Sequence, residues 1–166
     1  MATYVTQQID FVDTAPLMVE ASNIVSATPR EVWAAIVDYP RWVEWFPRVD
    51  ACEPTSEPPT GVGSTRDVTL KGGLGVIAEK FIVWDELSCW AFTVTSGPPV
   101  FSSIVERITI EPVDDHRTRV TYRMALAPKW FVAPVLKAAK GQLHKVLATA
   151  LTNLDGELEI RRREGD

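Results

Sequence analysis

SATPREVWAAIVDYPRWVEWFP, residues 26–47, sets three tryptophans, a phenylalanine and three prolines in two short helical turns. Thr28 stands where a helix is capped. Pro29 takes the first helical position, where a missing N–H costs nothing, and Glu31 completes a capping box. Val32, Trp33, Ile36 and Val37 then give this helix one apolar side. It stops at Asp38-Tyr39-Pro40, because the residue before a proline is pushed out of helical geometry. Pro40 opens a second turn carrying Trp42, Trp45 and Phe46, and Pro47 closes it. Rings of this size need either a core or a pocket to face.

The flanking segments read as strands. LMVEASNIVSA, residues 17–27, alternates with Val19, Ala21, Asn23 and Val25 on one face. Residues 1–17 are an N-terminal extension, with a short strand expected around Val5 to Val12. A strand near VDACEPT follows the aromatic turns. STRDVTL and VIAEKFIVW then flank the glycine-rich turn KGGLG. Centring that turn between Gly72 and Gly73 pairs Leu70 with Gly75, Val68 with Ile77 and Arg66 with Glu79. Their face also takes Phe81 and Val83. The wetter face holds Asp67, Thr69 and Lys80, with Ile82 and Trp84.

SCWAFTVTSGPP places Trp90, Phe92 and Val94 on one side until Gly97-Pro98-Pro99 breaks the strand. SIVERITIEPV and TRVTYRMAL flank DDHR. Their register pairs Ile110 with Val120, Ile108 with Tyr122, Glu106 with Met124 and Ile104 with Leu126. The last segment, from about Lys129 to Arg163, is one long helix whose apolar stripe runs through Leu136, Ala139, Leu143, Leu147, Ala150, Leu154 and Leu158. Its regular part starts near Pro134, and Gly141 is where a bend is expected. Residues 18–163 therefore form a single α+β domain, an antiparallel sheet wrapped around a long amphipathic helix.

Composition narrows the functional classes. The chain has 166 residues, 46% hydrophobic and 23% charged, a globular balance. A net charge of −5 disfavours nucleic acid, and the basic run Arg161 to Arg163 reads as a solvated helix end. Cys52 and Cys89 are too few for a disulfide framework and lack partners at metal-ligand spacing. No apolar run reaches the length of a membrane span, so a cytoplasmic protein is the expectation. No nucleophile elbow, phosphate loop or dinucleotide fingerprint appears, and neither a metal nor a cofactor is expected.

The pattern resembles the START-like, or SRPBCC, superfamily and its polyketide cyclase/dehydrase group. IVSATPREVWAAIVDYPRWVEWFPRV is similar to the family's strand end, capped helix, Asp turn and second Trp-bearing helix. GVGSTRDVTL resembles its Gly-x-Gly then Arg strand, and RTRVTYRMAL its strand before the final helix. The likeness covers residues 18 to 160. It implies a helix-grip fold, with a curved seven-stranded antiparallel sheet around the C-terminal helix and a cavity between them. Members bind lipids, sterols, polyketides or other apolar molecules, and some catalyse cyclisation or dehydration. The N-terminal extension departs from the pattern.

On the inward faces, Asn23, Arg66, Glu79, Glu106 and Tyr122 stand among apolar neighbours, where an unpaired polar group is costly. Arg66 and Glu79 are cross-strand neighbours, either a structural ion pair or a ligand-orienting one. Glu106 lies diagonal to Tyr122, with the same two readings. Trp33 reads as core, whereas Trp45 and Phe46 read equally as packing or pocket wall. The candidate ligand-binding set is Asn23, Trp45, Phe46, Arg66, Val68, Glu79, Phe81, Trp90, Phe92, Ile108, Tyr122, Leu143 and Leu147. His116 lies in a solvated turn. His144 lies roughly 80° from the centre of the helix stripe by helical geometry, a boundary position within reach of a pocket rim.

Three functions remain open. The first is a binder or carrier of an apolar small molecule, acting as a monomer or homodimer. The second is a cyclase or dehydratase in which Glu79, Glu106 or His144 acts as acid or base and Arg66 or Tyr122 polarises a carbonyl. The third is an interaction module that presents the tryptophans as an exposed patch.

Overall fold

The computed structural model describes residues 1–165. The strands are β1 (Ala2–Thr3), β2 (Leu17–Val25), β3 (Val49–Pro54), β4 (Thr65–Leu70), β5 (Gly75–Asp85), β6 (Cys89–Gly97), β7 (Phe101–Pro112) and β8 (Thr118–Pro128). The helices are α1 (Pro29–Val37), α2 (Trp42–Trp45), α3 (Ala133–Ala138) and α4 (Lys140–Gly165). Seven strands form a curled antiparallel sheet in the order β2-β8-β7-β6-β5-β4-β3. The two-residue β1 pairs with the end of β6, beyond the last β6–β7 pair.

Both hairpins take the register that the turn chemistry and alternation require. Leu70 faces Gly75, Val68 faces Ile77 and Arg66 faces Glu79. Ile110 faces Val120, Ile108 faces Tyr122 and Glu106 faces Met124. Gly72 and Gly73 both adopt positive φ, which glycine reaches at little cost. At α1 the reciprocal capping box forms, with the Thr28 hydroxyl accepting from the Glu31 N–H and the Thr28 N–H donating to Glu31 Oε2 at 2.7 Å. The concave side of the sheet packs on α4, which buries Leu147, Ala150, Leu151, Leu154 and Leu158.

Three local expectations are corrected. The region around Val5 to Val12 is not a strand. Ile9–Asp13 is a 3-10 turn, and Ile9, Val12 and Ala15 recur every third residue, the period of that helix. Val12 and Ala15 pack with Val105 and Ala125 in a small cluster on the outer side of the sheet. The extension is thereby a strap across the convex surface, tied down by Tyr4 Oη donating to the Pro98 carbonyl at 2.6 Å.

Trp84 does not share the wetter face. A bulge between Phe81 and Val83 shifts the register, so Trp84 pairs with Trp90 and its ring meets Trp33 edge-on at 5.6 Å. Ile82 stays outside, against the Val12 cluster. The terminal helix, finally, is two helices. Ala139 leaves helical geometry, and the Gln142 N–H turns to its carbonyl at 2.9 Å, an i to i+3 bond. The break falls two residues before Gly141.

Candidate functional site

A hollow of about 350 Å³ lies between the sheet, α2 and the first turns of α4. Its apolar wall comes from Val68 and Leu70 on β4, Ile77 on β5, Ile104 on β7, Met124 and Leu126 on β8, and Leu143 and Val146 on α4. The strand positions follow from alternation, since each is on the concave face of its strand. The gap persists because the α3–α4 break carries Leu143 and Val146 past the sheet while they are only half-buried.

Four polar side chains share one region of this wall, namely Arg66, Glu79, Glu106 and Tyr122. Arg66 is fully buried, and its Nε donates to Glu79 Oε2 at 2.6 Å. Five rings surround its guanidinium carbon, at 4.0 Å for Trp42, 4.7 Å for Trp90, 5.0 Å for Tyr39, 5.3 Å for Phe92 and 5.6 Å for Phe81. Such faces attract a cation through the ring quadrupole. The Trp42 ring is itself held by its indole N–H, which donates to the Ile36 carbonyl at 2.8 Å. Nη1 and Nη2 of Arg66 have no hydrogen-bond partner among the described residues. Two strong donor groups are thus buried without an acceptor beside the cavity wall.

The electrostatics follow from burial. Desolvation disfavours the Arg66 cation, but Glu79, with smaller contributions from Cys52 and Tyr122, holds Arg66 charged. Glu79 is pushed up by burial and pulled back by Arg66. Glu106 is pushed up to about 8, first by burial and then by repulsion from Glu79. Tyr122 donates its O–H to Glu106 Oε2, and burial and the Glu106 charge raise its own pKa far above the ordinary phenol value. Near neutral pH the cluster therefore holds the Arg66 cation and a neutral carboxylic acid at Glu106. Glu106 combines a donor with acceptor capacity inside an apolar enclosure.

The thirteen candidate binding residues fall into four groups. Phe46, Arg66, Val68, Glu79, Tyr122 and Leu143 border the hollow, as does Glu106 from the acid–base candidates. Phe81, Trp90 and Phe92 stand behind Arg66 as its cage. Trp45, Ile108 and Leu147 are sealed in the core. Asn23 lies elsewhere, its Nδ2 donating to the Leu151 carbonyl at 3.4 Å. His144 is exposed on the far side of α4, with Nδ1 2.8 Å from the Glu20 carbonyl, and does not border the hollow. Trp33, Trp42 and Trp45 are all buried, so they form no exposed patch.

Wall residues absent from the candidate set include Trp42, Leu70, Ile77, Ile104, Met124 and Leu126. Apart from Trp42, all stand in register on the same faces as Arg66, Glu79 and Tyr122, which is the signal that could have found them. Among the described residues, no three metal-ligating side chains come together and both cysteines are free. No helix among them is long and apolar enough to cross a membrane.

The family model described as polyketide cyclase/dehydrase and lipid transport matches residues 16–159. The chain belongs to that family. An uncharacterized protein of Mycobacterium tuberculosis is 27% identical over 153 residues, covering 88% of this chain and 87% of its own length. Among solved structures, a START superfamily protein from Mycobacterium smegmatis superposes with a TM-score of 0.71 at 21% identity, covering 86% of this chain and 97% of that one. The ZhuI aromatase/cyclase from a Streptomyces species gives 0.74 at 16% identity, covering 87% and 94%. At such identities the likeness is one of fold, the curled sheet gripping a C-terminal helix. In this family member the N-terminal strap lies outside the matched residues.

Proposed function

We propose that the protein binds an apolar small molecule bearing a polar group, lodged in the hollow with that group against the Arg66–Glu79–Glu106–Tyr122 cluster. The observation that carries this reading is a mostly apolar enclosure with a few convergent polar side chains, the usual make-up of a small-molecule site. A volume of about 350 Å³ falls at the lower end of the range for such sites, which suits a compact ring system or a short acyl chain. Native mass spectrometry of the purified protein, with thermal denaturation against fatty acids, sterols and aromatic polyketides, tests it. A ligand at about 100 times its Kd adds about 2.7 kcal/mol of stability. If nothing co-purifies and no compound raises the Tm, the reading is wrong.

A second reading, a cyclase or dehydratase, is favoured by one arrangement: the Glu106 carboxyl borders the hollow, bonded by Tyr122, where burial and Glu79 push its pKa up to about 8. General acid–base catalysis works best with such a group. Turnover of a bound polyketide-like substrate that Glu106→Gln abolishes, while affinity persists, would separate the enzyme from the binder.

A further inference from the structure

One end of the molecule carries a surface that the cavity does not explain. Trp130 is 86% exposed, its ring edge-on to the half-exposed Phe131 at 5.8 Å, and Val135 follows at 69%. Trp130 is the only strongly exposed tryptophan of the six. The turn between β4 and β5 contributes Leu74, 55% exposed. These segments meet through the Pro98 loop. The Lys129 N–H donates to the Val100 carbonyl at 2.9 Å, and Gly75 lies beside Pro98. Leu74 borders the hollow, and Phe101 of its wall pairs with Pro128, two residues before Trp130, so the exposed patch adjoins that end of the hollow.

The charge of this end is the second, independent observation. The chain carries −5 overall, yet residues 118–154 contain no aspartate or glutamate and hold Lys129, Lys137, Lys140 and Lys145. Lys71 lies on the Leu74 turn. Every ion pair among the described residues is made by an arginine, and none of these lysines joins one. Unpaired ammonium groups beside exposed Trp, Phe, Val and Leu have the chemistry of a bilayer interface, where aromatic rings settle at headgroup depth and lysines meet anionic lipid. A protein partner would more often be met by arginine, and here the arginines are used internally.

We infer that the cavity mouth is a docking surface for an anionic lipid bilayer, with Trp130 and Phe131 entering the interface and Lys71, Lys129 and Lys137 facing headgroups. The surface acts whatever molecule the hollow holds, so its test needs no cavity ligand. The protein is sedimented with phosphatidylcholine vesicles, with and without phosphatidylglycerol, and its tryptophan emission is compared with that of Trp130→Phe to isolate the Trp130 contribution. Expected are binding to the mixed vesicles alone, a blue shift on binding, and release as salt is raised to about 0.5 M. Trp130→Ala/Phe131→Ala and Lys129→Glu/Lys137→Glu each weaken binding by about tenfold or more. These side chains are exposed or half-buried, so unchanged melting curves verify that both variants stay folded. The inference is overturned if wild type ignores anionic vesicles at low salt, if both variants bind like wild type, or if the patch instead joins two chains, seen as a doubled mass in sedimentation that Trp130→Ala abolishes.

Discussion

Tyr122 on β8 donates its hydroxyl hydrogen to Glu106 on β7, one step diagonal across the ladder in which Ile108 faces Tyr122 and Glu106 faces Met124. Tyr122 is buried, and Glu106 keeps accessible surface because it fronts the hollow. This contact holds the Glu106 carboxyl at the wall of the hollow. It also joins the β7–β8 hairpin to the Arg66–Glu79 pair of the β4–β5 hairpin, through charge repulsion between the two glutamates. One proton on Glu106 relieves that repulsion.

A pH dependence of stability follows. Unfolded, Glu106 loses its proton near 4.5; folded, it keeps it until about 8. Between these values the folded chain binds more protons than the unfolded chain, so stability falls as pH rises. The contribution is complete below about pH 4.5 and gone by about pH 8. Glu106→Gln stays neutral throughout, and urea titrations from pH 5 to 8 should show wild type losing on the order of 2–4 kcal/mol relative to it. Parallel curves for the two proteins would refute the shift.

Arg66 and Glu79 should behave as a unit. Removing one partner strands a buried charge, so Arg66→Met and Glu79→Met should each cost about 3–5 kcal/mol. Arg66→Met/Glu79→Met removes both charges and should cost clearly less than the sum of the single changes. Denaturant midpoints at pH 7 measure this, and simple additivity would mean that the 2.6 Å contact carries no coupling.

Filling the hollow should separate ligand binding from folding. Leu143 is half-buried on the cavity side of α4, so Leu143→Trp can place its indole in the space without displacing the sealed core. Thermal scans should show a Tm at or above that of wild type, together with loss of the ligand-induced rise. A rise as large as in wild type would put the ligand elsewhere.

The N-terminal strap should contribute measurably to stability. Val12 is fully buried against Val105 and Ala125, and truncating it leaves a cavity on the outer face. Val12→Ala should cost about 2 kcal/mol in urea unfolding while leaving affinity for a cavity ligand unchanged. A loss of affinity equal to the loss of stability would instead tie the strap to the site.

Much of the architecture was readable from short-range order. The capping box at Thr28, the glycine turn at Gly72-Gly73 and the alternation around Ile108 and Tyr122 act between residues a few positions apart, and they set helix start, hairpin register and inward face. The pairing of Arg66 with Glu79 and the nearness of Glu106 to Tyr122 followed from that register alone. Which inward residues meet empty space was a different matter. Phe81, Trp90 and Phe92 share the concave side with Val68 and Tyr122, yet three-dimensional packing turns them into a cage around Arg66 instead of a cavity wall. The bulge after Phe81 redirects Trp84, and the break at Ala139 decides how far Leu143 stands from the sheet. Side-chain direction is a property of the local backbone, whereas the space left between packed elements depends on sheet curvature and helix placement, which are set by the whole core at once.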